Sequence, residues 1–300
     1  MLVRQRQEVQ ALPRELSDRA FLPAASSAPQ AVTPAMAGEE RILDWEGALN
    51  ARDTGGLTTR DGKRIQRGAL VRSDVITRLT RSGRDALLAH GVRTIVDVRT
   101  SEEVGRDRDV YPFPETSPDA QVRYTNVSFV TSLSEEEEAA VHARRNAAQR
   151  LDELNRMDLD LHRAGIAGVI AAVADAGPGG VLIHCYAGKD RTGMTVALVL
   201  SLVGVSDEDV ADDYALTMLN LEPLIVDWLG SIEDETERAR MRTLATPRRE
   251  VMLDTLAYLR ERYGGAEEYL LGAGVTADQI ARLKVRLVEL PQADEETANG

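Results

Sequence analysis

The chain has 300 residues, an apolar fraction of 43% and a formal net charge of −13. This length and apolar content predict a globular protein with a sizeable core. The negative charge argues against non-specific binding to nucleic acid and against docking on an anionic membrane surface. The single cysteine allows no intrachain disulfide, and no apolar run approaches the roughly 20 residues of a membrane span. No secretory signal follows the N-terminal arginines, so we expect a cytoplasmic protein, with secretion by a non-standard route left open.

The two ends of the chain differ in composition from the part between them. Residues 1–39 contain four prolines and no sustained period of 2 or 3.6, which predicts a disordered leader. A short helix near residues 4–11 is the alternative. Residues 291–300 form an acidic tail. We therefore expect one folded domain over residues 40–290.

Strand and helix patterns alternate through the first two thirds of this domain. In chain order they predict a strand at residues 68–74, a helix at 80–90, strands at 92–99 and 122–130, helices at 134–155 and 159–175, a strand at 181–184 and a helix at 191–203. Turn residues cluster at 50–56 and 177–180. The alternation predicts the α/β class, with a central, mainly parallel sheet flanked by helices.

The last third is predicted to be an α-helical extension of the domain. Pro247 occupies the expected first position of a helix that ends at residue 263. Thr276 and Gln279 fit a capping box that opens a last helix ending near residue 290. Ser134 and Glu137 form the same pattern at the start of the helix over 134–155.

The sequence VLIHCYAGKDRTG, residues 181–193, contains the only cysteine, Cys185. This residue follows a short apolar strand and precedes a helix, at a strand end where open α/β sheets place their sites. Backbone N–H groups in such a turn point inward and, with a helix N-terminus, bind a tetrahedral oxyanion. Ala187 and Gly188 lie in this phosphate cradle, and the planar guanidinium of Arg191 can hold two phosphate oxygens.

The same local field favours a thiolate at Cys185. A thiolate beneath a bound phosphate is placed for in-line attack on phosphorus, while the N–H groups and Arg191 stabilise the equatorial oxygens. Thr192 is a candidate to hydrogen-bond the sulfur and to assist its departure. The alternative is that Cys185 is a buried structural thiol. A nucleotide P-loop is excluded, because Asp190 follows Lys189 where that motif has serine or threonine.

The spacing from His184-Cys185 to Arg191-Thr192-Gly193 resembles the signature loop of cysteine-dependent protein tyrosine phosphatases. HCYAGKDRTG is similar to the loop of bacterial members that also act on phosphoinositides and sometimes on phosphoserine or phosphothreonine. The segments NARDTGG, VRSD, TIVDVRTSEEV, DDYALTMLNLE and YGGAEEYLLGAGVTADQIARLKVRL also resemble that family, in the same order. The resemblance covers about residues 42–290 and implies a tyrosine-phosphatase-like fold.

The resemblance implies that Cys185 is the nucleophile and that Arg191 binds phosphate. Lys189 and Asp190 match the lysine-aspartate pair of the family's loop. Related enzymes carry a general acid, an aspartate, soon after the strand that precedes the long helices, but the corresponding sequence VRYTNVSFVTSLSEEEE has none. We therefore expect Asp190 to donate the proton, with the glutamates at positions 135 and 136 as alternatives.

For several further residues the sequence supports both a role in the site and a structural role. By resemblance Arg52 and Asp53 line the pocket, and an internal ion pair is an equally strong alternative. Tyr186 is either a pocket wall or a packed surface aromatic, and His184 is expected to orient the loop through hydrogen bonds. Structural pairs at the sheet ends are expected for Arg72, Asp74, Asp97 and Arg99. The remaining histidines do not cluster in the sequence, so no metal and no other cofactor is expected.

The sequence therefore predicts a cysteine-dependent phosphatase. It would hydrolyse phosphomonoesters of a phosphorylated protein or a phosphoinositide through a phosphocysteine intermediate. The alternative is a catalytically weak module that binds a phosphoprotein or a phosphoinositide. Sulfur transfer is a third hypothesis, which the Arg191-Thr192-Gly193 sequence disfavours. We expect no nucleic-acid partner and no stable insertion into a membrane.

Overall fold

A computed structural model of the chain describes residues 39–107 and 122–289. The predicted leader, apart from residue 39, and the predicted acidic tail lie outside the described residues. Within these ranges, no helix is both long and apolar enough to cross a bilayer.

The centre of the fold is a five-stranded mixed sheet. Its strands are β1 (Arg52–Asp53), β2 (Leu70–Ser73), β3 (Val92–Asp97), β4 (Arg123–Asn126) and β5 (Gly180–His184). Their order across the sheet is β1-β2-β5-β3-β4. Only β1 runs antiparallel to its neighbour, and the other pairs are parallel. The predicted α/β class with a mainly parallel sheet is confirmed.

Eleven α-helices surround this sheet in the described part of the chain. They are α1 (Arg81–Ala89), α2 (Ser101–Asp107), α3 (Glu135–Ala147), α4 (Leu151–Leu161), α5 (Arg163–Ala174), α6 (Asp190–Leu202), α7 (Asp207–Gly230), α8 (Glu235–Ala245), α9 (Arg249–Tyr263), α10 (Ala266–Ala273) and α11 (Ala277–Leu287). The last five helices form the predicted α-helical extension. Both predicted capping boxes are present, at the starts of α3 and α11.

The two helices predicted over residues 134–175 are in fact three. Ala148 and Arg150 have extended backbone between α3 and α4. The carbonyl of Ala148 accepts a hydrogen bond from Arg240 Nη1 at 3.1 Å, so a side chain from α8 binds the end of α3. His162 separates α4 from α5, and its Nδ1 accepts a hydrogen bond from the amide of Thr131 at 3.2 Å. These tertiary contacts are not encoded in the local helix pattern.

Other boundaries also differ from the predictions. Pro247 lies outside its helix, because Arg248 has extended backbone and α9 begins at Arg249. The sequence pattern also missed α10. The predicted strand over 122–130 ends at Asn126, whose side-chain amide donates to the carbonyls of Asp97 and Arg99. Beyond it, the amides of Val127 and Phe129 still donate to the carbonyls of Asp97 and Val98.

The central strand β5 is buried along its whole length. Val181 and Ile183 face the larger core, which contains residues of α5, α6 and the C-terminal helices. Leu182 faces the opposite core, which contains Trp45 and Leu87 of α1. Alternate residues of β5 therefore contact different layers, as the twofold period of a strand requires.

The carboxyl ends of three parallel strands are aligned at one edge of the sheet. His184 of β5 is in register with Ser73 of β2 on one side and with Asp97 of β3 on the other. The residue after β5, Cys185, therefore emerges between the ends of β2 and β3.

Candidate active site

Cys185 begins the turn that joins β5 to α6, and it is 3% exposed. Gly188 in this turn has φ = 67°, a conformation that favours glycine. A Cβ atom at this position would lie 2.5 Å from the carbonyl oxygen of Ser73. The turn therefore packs directly on the end of β2, and only glycine fits at that contact.

Consecutive carbonyl groups of the turn are held from behind by hydrogen bonds. The acceptor and donor pairs are Cys185 O with His184 Nδ1 at 3.0 Å, Tyr186 O with Val75 N at 2.8 Å, Ala187 O with Asn50 Nδ2 at 3.0 Å, and Gly188 O with Arg72 Nη2 at 2.7 Å. In a trans peptide the C=O and the following N–H point in opposite directions. The N–H groups of Ala187, Gly188 and Lys189 therefore point to the front of the turn.

These forward N–H groups have the orientation that an anion cradle requires. Within the described chain, the amides of Ala187, Gly188 and Lys189 donate no hydrogen bond to another residue. They lie immediately before the first residue of α6, Asp190, where the positive end of the helix dipole is located. The geometry is that of an oxyanion-binding nest at a helix N-terminus.

Arg191 lies in the first turn of α6 and is paired with Glu103 of α2. Its Nη1 donates to Oε2 of Glu103 at 2.6 Å, and its Nη2 donates to Oε1 at 2.8 Å. A guanidinium has five N–H groups, so the edge that carries Nε remains for a second acceptor. Glu103 thereby fixes the plane of the guanidinium.

The charges of this pair are strongly coupled. Burial by itself would lower the pKa of Arg191, but the hydrogen bonds and charge of Glu103 raise it above its usual value. Burial would likewise raise the pKa of Glu103, but Arg191 lowers it to about 2. Both groups are therefore ionised over the whole neutral range.

Lys189 and Asp190 form a second pair within the turn itself. Nζ of Lys189 donates to Oδ1 of Asp190 at 2.7 Å. The lysine side chain is 1% exposed, whereas that of Asp190 is 12% exposed. The ammonium therefore neutralises the carboxylate from the buried side, and Asp190 is the more accessible of the two.

The remaining turn residues differ in their surroundings. Tyr186 and Ala187 are half-buried. Ala187 packs against a small apolar cluster formed by Leu221, Ile225, Trp228 and Leu229 of α7 with Ala245 of α8. The start of α7 also contacts the turn region, since a Cβ atom on Gly193 would lie 2.9 Å from the ring of Tyr214. The end of the cradle is therefore enclosed by the C-terminal extension.

The predicted hydrogen bond from Thr192 to the cysteine sulfur is not formed. The hydroxyl of Thr192 is completely buried, and among the described residues it has no hydrogen-bond partner. A buried hydroxyl without a partner has lost its bonds to water without replacement.

His184 has the expected orienting contact. Burial lowers its pKa, so the imidazole is neutral at neutral pH. Since a carbonyl oxygen can only accept, the neutral ring carries its proton on Nδ1 and donates to Cys185 O. Nε2 lies 3.6 Å from Oδ2 of Asp97, which is itself paired with Arg99 at 2.7 Å. The predicted structural role of Asp97 and Arg99 is confirmed.

Arg52 and Asp53 are both buried. Arg52 is fully buried, and of its two proposed roles the structure forms the ion pair, with Asp213 of α7 at 3.3 Å. Asp53 is buried and accepts hydrogen bonds from the amides of Gly55 and Gly68, at 2.7 Å each. The resemblance alone pointed to the pocket, but the partner of Arg52 lies 161 residues away in the sequence.

Arg72 and Asp74 are structural, as predicted, although they do not pair with each other. Arg72 pairs with Asp213 at 2.8 Å, and Asp74 pairs with Arg78 at 2.5 Å. Asp74 also accepts from the amide of Asn50 at 3.0 Å and so holds the residue that supports the turn.

Sequence reasoning missed Glu103 and Asn50 as residues that support the turn. Glu103 follows β3, the neighbour of β5, so knowledge of the strand order would have placed it near Arg191. Asn50 opens the segment NARDTGG, which resembles the family without indicating a contact. For both residues the missing information was the arrangement of the strands.

A second buried carboxylate lies close to the start of α6. Asp158 of α4 is 7% exposed and is bonded to Arg145 of α3. Burial raises its pKa, and the charge of Asp190 raises it further, against the opposing charges of Arg145 and Arg191. Asp158 is therefore within electrostatic reach of the site.

Across the described ranges, no three histidine, cysteine, aspartate or glutamate side chains converge to hold a metal ion. Independence of metals and cofactors stays a prediction.

The fold and site together define a phosphatase of the α/β class, with one cysteine and one arginine flanking an anion-binding turn. The chain belongs to the tyrosine phosphatase family, whose model matches residues 43–289.

Named relatives agree with this assignment. The chain is 31% identical over 236 residues to a tyrosine-protein phosphatase of Nostoc commune, covering 74% of this chain and 75% of that protein. It is 29% identical over 280 residues to the triple specificity protein phosphatase PtpB of Mycobacterium tuberculosis, covering 81% and 98% respectively. A putative tyrosine-protein phosphatase of Cupriavidus necator is 27% identical over 195 residues. The predicted resemblance and the predicted enzyme class are confirmed.

Proposed function

We propose that this tyrosine phosphatase hydrolyses phosphomonoesters through a phosphocysteine intermediate on Cys185. The observation that supports this most directly is the orientation of the turn, which directs consecutive amides away from the anchored carbonyls. The amides of Ala187, Gly188 and Lys189 and the Nε edge of Arg191 would hold the three non-bridging oxygens. Tyr186 would form a wall of the pocket.

The reaction has two steps that share one acid–base residue. In the first, the Cys185 thiolate attacks phosphorus and the ester P–O bond breaks. The leaving oxygen takes a proton from the protonated form of Asp190, which is left as the carboxylate paired with Lys189. In the second, water attacks phosphorus and passes a proton to the Asp190 carboxylate. The S–P bond then breaks, which releases inorganic phosphate and regenerates the thiolate.

Asp190 is preferred as the acid because it lies at the first position of α6 and is partly exposed. Glu135 and Glu136 are exposed at the start of α3, and no contact joins them to the turn in the described chain. Asp158 is the stronger competitor, because it is close enough for its charge to be coupled to Asp190 and Arg191.

The substrate range is proposed to extend beyond phosphotyrosine to phosphoserine, phosphothreonine and phosphoinositides. The name of the mycobacterial relative, a triple specificity phosphatase, supports a broad range. We propose a cytoplasmic location and no nucleic-acid substrate, in keeping with the net charge of −13.

The nucleophile is tested with Cys185→Ser, measured on an aryl phosphate. We expect turnover to fall by more than about 100-fold, while vanadate still binds, because only the attacking atom is lost. Mass spectrometry of the native enzyme, quenched during turnover, should find phosphate on the peptide that contains Cys185. Substantial activity in the serine variant would overturn the mechanism. Loss of activity on treatment with a chelator, restored by adding a divalent ion, would also overturn it.

The acid is tested by comparing leaving groups. Asp190→Asn should reduce phosphoserine or alkyl phosphate turnover far more than nitrophenyl phosphate turnover, because only the poor leaving group needs a proton. Asp158→Asn, Glu135→Gln and Glu136→Gln are the matched comparisons. If Asp158→Asn gives the selective loss instead, the proton comes from α4. If the native enzyme binds phosphate but turns over no substrate, the alternative of a phosphate-binding module replaces the proposal.

A further inference from the structure

Three buried guanidinium groups surround one carboxylate behind the turn. Asp213 Oδ1 accepts from Arg41 Nη1 at 2.7 Å and from Arg52 Nε at 3.3 Å, and Oδ2 accepts from Arg72 Nη1 at 2.8 Å. Each of the four side chains is 3% exposed or less. We call these four residues the Asp213 cluster. One carboxylate balances one of the three positive charges, so the cluster carries two positive charges in excess.

The other ionised groups around the turn are balanced one to one. The pairs are Lys189 with Asp190, Arg191 with Glu103, Arg78 with Asp74, Arg99 with Asp97, and Arg145 with Asp158. Burial first, and then the charges of Arg72 and Arg41, lower the pKa of Arg52 to about 9, against the attraction of Asp213. The excess charge next to the turn therefore comes from the Asp213 cluster.

Two members of the cluster are connected to the back of the turn. Arg72 Nη2 donates to Gly188 O at 2.7 Å. Arg52 Nη1 donates to Asn50 Oδ1 at 2.6 Å, and Asn50 Nδ2 donates to Ala187 O at 3.0 Å. A cation at the carbonyl end of a peptide polarises that group and makes its N–H a stronger donor. The peptides polarised in this way direct their N–H groups to the front of the turn.

We propose that the Asp213 cluster is a positioning and charge-balancing layer, whose two excess positive charges are compensated by the Cys185 thiolate and the bound phosphate on the opposite side of the turn. The identity of that anion rests on the proposed function. None of the four side chains needs to touch the substrate. Arg72 and Arg52 act through the peptides of the turn, and Arg41 acts through its charge alone.

Arg41 gives the cleanest test, because its side chain donates to Asp213 and to the carbonyl of Asp53 but makes no bond to the turn in the described chain. Cys185 is the only cysteine, so the rate of alkylation by iodoacetamide as a function of pH reports its thiolate without any turnover. Arg41→Gln should move the midpoint of this profile upward by about half to one pH unit, the effect of one charge in an interior of effective dielectric constant about 20. Protection by inorganic phosphate should weaken by about 3- to 10-fold for the same reason.

Charge-balanced variants separate this role from a structural one. Arg41→Gln combined with Asp213→Asn removes one positive and one negative charge, so the excess stays at two and the midpoint should return toward the native value. Asp213→Asn alone raises the excess to three and should move the midpoint downward. Arg41→Lys should behave as the native protein. If the cluster were only structural, the double variant would disturb the turn most. Its alkylation midpoint would then lie further from the native value than that of either single variant.

The matched control is Arg260→Gln, which removes an exposed arginine from its pair with Asp207 and should leave the profile unchanged. Circular dichroism establishes that each variant is folded. An unchanged midpoint in folded Arg41→Gln, or an upward shift in Asp213→Asn, overturns the proposal. Because these readouts need no catalysis, they distinguish its failure from failure of the proposed phosphatase mechanism.

Discussion

Arg191 in front of the turn at Cys185 and Arg72 behind it carry the same functional group in different surroundings. Among the described residues Arg191 is the only cation paired with Glu103, whose side chain is 26% exposed. Arg72 is 1% exposed, shares Asp213 with two other arginines, and also holds the carbonyl of Gly188. A partly exposed pair leaves donors for a ligand, whereas a buried cluster fixes the backbone. Burial and the number of partners, rather than residue type, therefore separate an arginine with donors left for a ligand from one that holds the backbone.

Replacing each arginine by lysine should separate the two roles. Arg191→Lys keeps the charge but loses the planar fork, so we expect aryl phosphate turnover to fall by about 1,000-fold. The free energy of unfolding should change less than in Arg72→Lys, because lysine keeps the positive charge opposite Glu103. Steady-state kinetics and denaturant unfolding measure both quantities. A loss of turnover below tenfold would show that charge alone suffices in front of the turn.

Disrupting the contact between the turn and β2 should have the next largest effect on catalysis. Gly188→Ala places a methyl group against the Ser73 carbonyl and strains φ = 67°, so the turn must move. We expect kcat/KM to fall by about 100-fold, because displaced amides no longer match the transition state. Gly177→Ala is the control, since its Cβ would meet nothing within 4 Å. Equal kinetics in the two variants would contradict the rigid packing inferred here.

Substitution of Arg72, behind the turn, should mainly lower the free energy of unfolding. Arg72→Lys cannot bind Asp213 and Gly188 together, and it leaves buried polar groups without partners. We expect the free energy of unfolding to fall by about 3 kcal/mol, as when one member of a buried ionic network is broken. Turnover per folded molecule should fall less than in Arg191→Lys. If Arg72→Lys instead lost turnover at native stability, the two sites would be alike and the comparison would fail.

Glu103 should give the smallest effect on rate, because it orients Arg191 without being required for its charge. We expect Glu103→Gln to lower kcat by about tenfold, with a smaller change in KM, since orientation matters most in the transition state. Glu102→Gln is the control, because Glu102 is exposed and paired with Arg106 instead. A change confined to KM would assign Glu103 to ground-state binding.

The same carboxylate predicts a pH dependence of stability. The pKa of Glu103 is about 2 in the folded protein, against its ordinary value of 4.5. A lowered folded pKa means that its contribution to stability is fully present above about pH 4.5 and is lost as pH falls toward 2. Glu103→Gln should therefore be destabilised at neutral pH and should lose part of the acid dependence below pH 4.5. Parallel stability curves for the two proteins would contradict this.

Features that arise from neighbouring residues could be predicted from local sequence patterns. The strand, turn and helix around Cys185 follow from an apolar run, a glycine and a helix-forming segment within residues 181–193. The two capping boxes were readable because each side chain bonds an amide three residues away. The mainly parallel sheet followed from alternating strands and helices.

The contacts between distant residues at the turn depend on how the whole chain packs. Glu103 and Arg191 are 88 residues apart, and Arg72 and Asp213 are 141 apart. These contacts depend on the strand order β1-β2-β5-β3-β4, which local patterns do not specify. The break between α3 and α4 likewise depends on Arg240 from another helix. Local patterns report the preferences of a short backbone segment, whereas ion pairs and helix ends of this kind are fixed only once the whole chain has packed.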